Sequence, residues 1–309
     1  MRNKLWTLIP ALAMSSALLL IAQGPPQAGR GQRGQPGDRG AGGRGGGLGR
    51  GAQPVAYDDY TGYTKLWDGQ TFNGWDGETD VWSIDNGGIH ADTVKTPGQH
   101  HLHYTGPGAV MKDFDLKVEF RISEMGANGG IQYRSRLLHP AHGGSIENPL
   151  GKSLPAGITT LAKAVAAGIT AAPAAGGAAP NPWQVSGYQF DLNSGNNYTG
   201  QLYEGQGRGI VNPPGGIVQL LPSGQNIRIG MAAENPAQFI KPHKGLAGEW
   251  QQVQIVARGN TLVHIINGQV ITVSVDDSPA QRANQGILSL QLEGSGQIWY
   301  RNVYVKHVQ

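Results

Sequence analysis

Between residues 114 and 122 apolar and polar side chains alternate without a break. Phe114, Leu116, Val118, Phe120 and Ile122 stand on one side; Asp115, Lys117, Glu119 and Arg121 stand on the other. A period of two predicts a strand with one buried face. The alternation returns after a Gly-rich turn at 126–130, in Ile131-Gln132-Tyr133-Arg134-Ser135-Arg136, and again at 187–192 and 201–204. Further strands are predicted at 250–257, 261–266 and 270–275, the last two joined by Asn267-Gly268, a pair suited to a two-residue hairpin turn. Strands at 286–292 and 298–305 close the series. Many short strands, frequent turns and almost no helical period predict an all-β fold, a sandwich or jelly roll.

Two stretches break the pattern. Residues 139–182 are dominated by Ala, Gly and Pro, with one weakly helical piece near 158–167, and read as a long insertion between two strands. At the start, Arg2 and Lys4 precede an apolar run from Trp6 to Ala22, the layout of a secretory signal over 1–22. An uncleaved anchor is the rival, since the run approaches bilayer-spanning length. Residues 23–53 are Gly, Arg, Gln and Pro, too poor in apolar surface to fold, and read as a disordered tether. Glycines there recur every third residue from Gly31 to Gly49, the collagen spacing, but scarce proline argues against a triple helix. The predicted domain therefore spans 60–308, and the chain is expected to be exported, to the periplasm or the cell exterior.

Charge and cysteine content narrow the chemistry. The net charge of +3 divides unevenly: seven basic residues against Asp38 give residues 1–53 a charge of +6, leaving −3 for the rest. A basic leader on an acidic domain gives no support for nucleic-acid binding. Neither nucleic acid nor a membrane span in the mature chain is expected, and nothing in the sequence sets the oligomeric state. The absence of cysteine removes disulfides, thiolate nucleophiles and Cys-based metal sites.

Strand alternation sorts the candidate functional residues by face. Leu288, Leu290 and Leu292 point inward and Ser289, Gln291 and Glu293 outward; Tyr188, Phe190 and Leu192 oppose Gln189 and Asp191; Ile131 and Tyr133 oppose Gln132, Arg134 and Arg136. If these strands are neighbours, their outer faces form a patch of Gln, Arg, Asp and Glu able to bind a sugar through paired hydrogen bonds. Polar-out alternation is equally what any solvated sheet face shows. Tyr203-Glu204-Gly205-Gln206-Gly207-Arg208-Gly209 adds a carboxylate and a guanidinium in a Gly-rich loop. It is no dinucleotide fingerprint, since no helix follows, and no nucleotide cofactor is expected. His100, His101 and His103 read as a turn before a strand, a weak metal signal, and His264 reads as a core histidine. The paired-carboxylate strand motif of laminarinase-like glycosidases does not occur, nor do Gly-x-Ser-x-Gly, His-Glu-x-x-His or P-loop patterns.

Several segments, in order, resemble one family. Lys65-Leu66-Trp67-Asp68-Gly69-Gln70 and Trp82-Ser83-Ile84-Asp85-Asn86-Gly87-Gly88 match its opening, and Asn128-Gly129-Gly130-Ile131-Gln132-Tyr133-Arg134-Ser135 and Gly187-Tyr188-Gln189-Phe190-Asp191 its middle. Gly248-Glu249-Trp250, Ile265-Ile266-Asn267-Gly268, Gly286-Ile287-Leu288-Ser289-Leu290-Gln291 and Arg301-Asn302-Val303 match its end. Together they resemble the 3-keto-disaccharide hydrolases, described also as 3-keto-glucoside 1,2-lyases and 3-keto-2-hydroxy-glucal hydratases.

The resemblance implies a concanavalin A-like jelly-roll sandwich acting on an oxidised sugar, a 3-keto-glycoside, with a divalent metal ion of unspecified identity as cofactor. It implies a base, an acid and donors for an enolate oxygen. Asp191 and Glu204 are the expected catalytic carboxylates; Gln132, Arg134, Gln189, Arg208, Gln291 and Glu293 are the expected substrate contacts. Two departures stand out: Glu293 follows Leu292 where relatives often carry His, and Asn-Gly-Gly at 128–130 replaces the usual Asn-Ser-Gly. A carbohydrate-binding sandwich without catalysis is the alternative, because one fold serves both.

Overall fold

The computed structural model describes residues 56–78, 81–124, 126–138, 183–243 and 248–308. The expected signal segment (1–22), the expected tether (23–53) and the 139–182 stretch, where a weakly helical piece is expected, lie outside the described residues.

Seventeen strands are formed among the described residues. The first five are β1 (Thr64–Lys65), β2 (Trp75–Gly77), β3 (Trp82–Asp85), β4 (Gly88–Asp92) and β5 (Gly98–Tyr104). β6 (Phe114–Ile122), β7 (Ala127–Leu137), β8 (Val185–Asn193), β9 (Leu202–Gly205), β10 (Gly209–Asn212), β11 (Gly216–Leu220) and β12 (Asn226–Met231) follow. β13 (Gln251–Arg258), β14 (Thr261–Ile266), β15 (Gln269–Asp276), β16 (Ile287–Gly294) and β17 (Gln297–His307) complete the set. One sheet runs β12-β11-β15-β14-β13-β6-β17-β4-β3, with β1 beside β17; the other runs β10-β9-β8-β7-β16-β5-β2. β11 and β15 pair in parallel, while the other described pairings are antiparallel.

The alternating residues explain why two sheets stack. Leu116, Val118, Phe120, Val253 and Ile255 of the larger sheet are fully buried, as are Ile131, Phe190, Leu192, Leu288, Leu290 and Leu292 of the smaller, all in one apolar cluster. Burying each such side chain is worth about 1.5–3 kcal/mol. The result is the expected fold class, an all-β, concanavalin A-like jelly-roll sandwich. Asn267 and Gly268 both take positive φ, 47° and 80°, which fits a mirror-image hairpin turn between β14 and β15.

Polar bridges tie the layers together. His264, in the core, meets Gly200 O through Nδ1 at 3.0 Å and Tyr133 Oη through Nε2 at 2.8 Å. With Nδ1–H donating to the carbonyl, Nε2 accepts from the tyrosine, and burial draws the imidazole down to about 4, so it stays neutral. Tyr300 of the larger sheet sends its hydroxyl to the smaller sheet's backbone, 2.8 Å from Gln291 O and 3.2 Å from Gly130 O.

One sequence reading needs correction. Residues 98–104 form β5, not a turn. Its Gly-Gln-His-His-Leu-His-Tyr sequence lacks apolar alternation because His101 and His103, rather than aliphatic residues, fill the buried positions of its outer face.

Candidate active site

The outer face of the smaller sheet is a lattice of polar rows. Cross-strand pairing sets Ile210, Tyr203, Gln189, Gln132, Ser289, His103 and Asp76 side by side from β10 to β2. The next row holds Asp191, Gly130, Gln291 and His101, and a third holds Asn193, Asn128, Glu293 and Gln99. A cavity of about 300 Å³ opens over these rows, lined by Gln132, Gln189, Asp191, Gln291 and Glu293 together with His101, Asn128, Gln201 and Tyr203. Five of the eight residues singled out from sequence therefore meet in one pocket.

Asp191 lines it with both carboxylate oxygens engaged. Gln201 Nε2 donates to Oδ2 at 2.6 Å, Gln189 Nε2 to Oδ1 at 2.9 Å, and the Leu192 amide to Oδ1 at 3.2 Å. Burial pushes the carboxyl up to about 7, the Glu293 charge adds to the rise, and the three hydrogen bonds oppose it. A carboxyl that titrates near neutrality can both take and return a proton at physiological pH.

Gln189 owes its position to a glycine. A β-carbon on Gly130 would stand 2.4 Å from Gln189 Nε2 and 2.5 Å from its Cγ. The amide lies in the space that glycine leaves, reaching Gly129 O at 3.1 Å and accepting from Gln132 Nε2 at 2.9 Å.

His101 is the site residue that sequence reasoning passed over. It pairs with Gln291 across β16 and β5, is buried, and neither ring nitrogen completes a hydrogen bond. Burial draws its imidazole down to about 3, with the neighbouring His103 and His100 adding to the fall; Gln132 approaches closely enough to oppose it slightly. The ring is neutral, so one nitrogen carries an N–H. Asn128 Oδ1, Gln132 Oε1 and Gln291 Oε1 are likewise buried without partners in the same pocket. Such atoms cost about 1–3 kcal/mol each unless a ligand or water meets them. The legible signal was His101's place two residues before His103, an i, i+2 pair that shares a face in a strand.

Glu293 lines the pocket and accepts from Gln99 Nε2 at 3.0 Å and Asn128 Nδ2 at 3.3 Å.

The structure does not bring Arg134, Glu204 and Arg208 to this pocket. Arg134 has φ 47°, and the ladders to β8 and β16 both shift register beside it, which breaks the alternation that placed it on the outer face. Its guanidinium is held instead by Lys112 O at 2.8 Å, Gly259 O at 2.8 Å, Ala283 O at 3.3 Å and Asp113 Oδ1 at 3.0 Å. Glu204 pairs with Arg208 Nε, and Arg208 also binds Asp276 Oδ2 at 2.6 Å; both residues line a separate cavity. Alternation along β9 explains the split, since Tyr203 and Glu204 point to opposite sides.

Among the described residues no group of three or more His, Asp or Glu side chains is placed to hold a metal ion. No described helix is long and apolar enough to cross a membrane.

One face of the sandwich thus carries amides, a histidine and a buried carboxyl with a raised pKa. The family is definite: residues 62–306 match the 3-keto-alpha-glucoside-1,2-lyase-like domain, and the chain belongs to that family. Among solved structures it is similar to a glycosyl hydrolase candidate from Parabacteroides distasonis ATCC 8503, at 15% identity and TM-score 0.46 over 83% of this chain and 99% of that one. A galectin-like protein of unknown function from Bacillus subtilis aligns at 11% identity and TM-score 0.48, over 79% and 98% of the two chains. The carbohydrate-binding module CBM66 from Bacillus subtilis aligns at 10% identity and TM-score 0.41, over 75% and 95%. At these levels neither activity nor ligand carries across. A comparison with curated protein sequences finds no match.

Proposed function

We propose that the protein cleaves 3-keto-glycosides by elimination followed by hydration, with Asp191 as the proton-transferring carboxyl. The observation that carries this reading is a buried carboxyl raised to about 7 that lines the same pocket as a buried, neutral imidazole.

The chemistry follows from the ketone. A carbonyl at C3 acidifies the C2 proton, and the Asp191 carboxylate removes it, leaving the electron pair in an enolate over C2, C3 and the ketone oxygen. The enolate collapses to a C1–C2 double bond and expels the C1–O bond. The departing oxygen takes a proton, and a 2-hydroxy-3-keto-glucal and a free alcohol result. Water then adds to C1 while C2 regains a proton, so the net change is hydrolysis.

Charge builds on the C3 oxygen in the transition state, and a preorganised donor there lowers the barrier most. His101 fits that role: its neutral imidazole keeps one N–H, which can donate to an enolate oxygen. Gln132 and Gln291 supply the adjoining amides. Gln189 and Gln201 act on Asp191, orienting both carboxylate oxygens. Burial raises the Asp191 pKa, and neighbouring Glu293 adds to the rise. Export to the periplasm or cell exterior belongs to the same proposal and rests on the basic and apolar start, Arg2 to Ala22.

The test is aglycone release from a 3-keto-glucoside by the purified protein and by Asp191→Asn. Release by the wild type, reduced at least about 100-fold in the variant, supports the proposal; equal rates count against it.

A further inference from the structure

The pocket has two chemically different ends. Toward β16 and β5 it presents His101, Gln291 and Glu293. Toward β9 and β10, at one edge of the smaller sheet, it presents Tyr203 and Ile210, which pair directly across the two strands, with Gln201 before β9 and Gln206 in the turn between the strands. Ile210 is 60% exposed, more than any other large apolar side chain among the described residues, and it is exposed at the lip of a cavity. A polar solvated rim would not need isoleucine there, and an apolar side chain offers a sugar hydroxyl nothing to bond.

We propose that the β9–β10 edge is the leaving-group subsite and that it takes an apolar aglycone, aromatic or aliphatic, in preference to a second sugar ring. The proposal rests on the lyase reading for which end of the substrate lies there. Asp191 on β8 must reach C2, so the group attached to the adjacent C1 lies one sugar bond away. Strands in a sheet are about 4.8 Å apart, which puts β10 about 10 Å from β8, the reach of a C1 oxygen carrying a six-membered ring. Tyr203 supplies a ring for offset stacking against such a group, and Ile210 covers its outer side. A second sugar ring in the same place would exchange hydrated hydroxyls for these two side chains and lose their hydrogen bonds.

Binding and turnover test different parts of the proposal. Affinities of the 3-keto forms of phenyl glucoside and methyl glucoside are measured by calorimetry for the wild type and for Ile210→Ser. Ile210 is exposed and outside the acid–base machinery, so the variant is expected to fold and to keep its affinity for the methyl glycoside. The phenyl glycoside is expected to bind the wild type at least about 10-fold more tightly than the methyl one, with most of that advantage lost in Ile210→Ser. Equal affinity for the two glycosides, including no measurable binding of either, overturns the subsite. So does an Ile210→Ser change that weakens both alike. A persistent phenyl advantage without aglycone release from either compound leaves the apolar subsite standing and overturns the lyase reading instead.

Discussion

Gln189 donates from Nε2 to Asp191 Oδ1 at 2.9 Å, and it can do so because the strand beside it has no side chain in the way. A β-carbon at Gly130 would stand 2.4 Å from that same nitrogen. Gly130→Ala is expected to fold, since the obstacle is a flexible side chain that can swing aside. Its carboxyl then loses a hydrogen bond that favours the ionised form, so the Asp191 pKa rises and the acidic limb of the pH–rate profile moves to higher pH. A rate profile superimposable on the wild type's would separate Gly130 from the function of Asp191.

Asp191 should leave a mark on stability as well as on rate. Its folded pKa of about 7 lies above the unfolded value of roughly 3.9. Between those values the native state binds a proton that the unfolded state has lost, so stability falls as pH rises through the window and levels off above it. Asp191→Asn removes that slope. Urea unfolding at pH 4 and pH 8 is expected to show the variant gaining on the wild type with pH, by on the order of a few kcal/mol. A difference between the two proteins that stays constant across the range contradicts the raised carboxyl.

His101 is expected to contribute to rate without contributing a titration. Its pKa near 3 keeps it neutral throughout the range in which Asp191 titrates. His101→Ala should lower kcat by about 100- to 1,000-fold, as loss of an oxyanion donor does, while both limbs of the pH profile remain where they were. Disappearance of a limb would mean that His101 transfers the proton itself.

Arg134 and Glu204 are expected to separate from catalysis. Glu204→Gln alters an ion pair outside the pocket and should leave kcat within about threefold of the wild type, whereas a catalytic carboxyl is worth about 100-fold or more. Arg134→Ala strips a buried guanidinium from three carbonyls and Asp113, and should cost about 3–5 kcal/mol in denaturant unfolding with little change in KM. A Glu204→Gln variant that folds but is inactive would return Glu204 to the catalytic group.

The strands that build the pocket floor were legible because their inner faces are apolar: Phe190 and Leu192, or Leu288, Leu290 and Leu292, fix by period of two where Gln189, Asp191 and Gln291 must point. That logic fails wherever the period breaks. Arg134 occupies a positive-φ bulge that turns it off the outer face, and no local residue signals the register shift. β5 escaped notice because its buried positions are histidines, and β12 because most of its residues are exposed and give no alternation at all. Which strands are neighbours is set by long-range pairing, so the meeting of Asp191 with His101, three strands apart in the sheet, was not readable from spacing.

The central claim is that Asp191 removes the C2 proton, and deuterium at C2 reports on it most directly. The wild type and Asp191→Asn are given a 3-keto-glucoside in deuterated water, and the 3-keto-glucose is examined at early times by NMR against the uncatalysed exchange of that sugar. Elimination and hydration predict enzyme-dependent deuterium at C2 appearing together with the free aglycone, both lost in Asp191→Asn. Aglycone release with C2 still protonated would mean direct displacement at C1, and saturable binding with neither release nor exchange would mean a sugar-binding protein; either result contradicts the account.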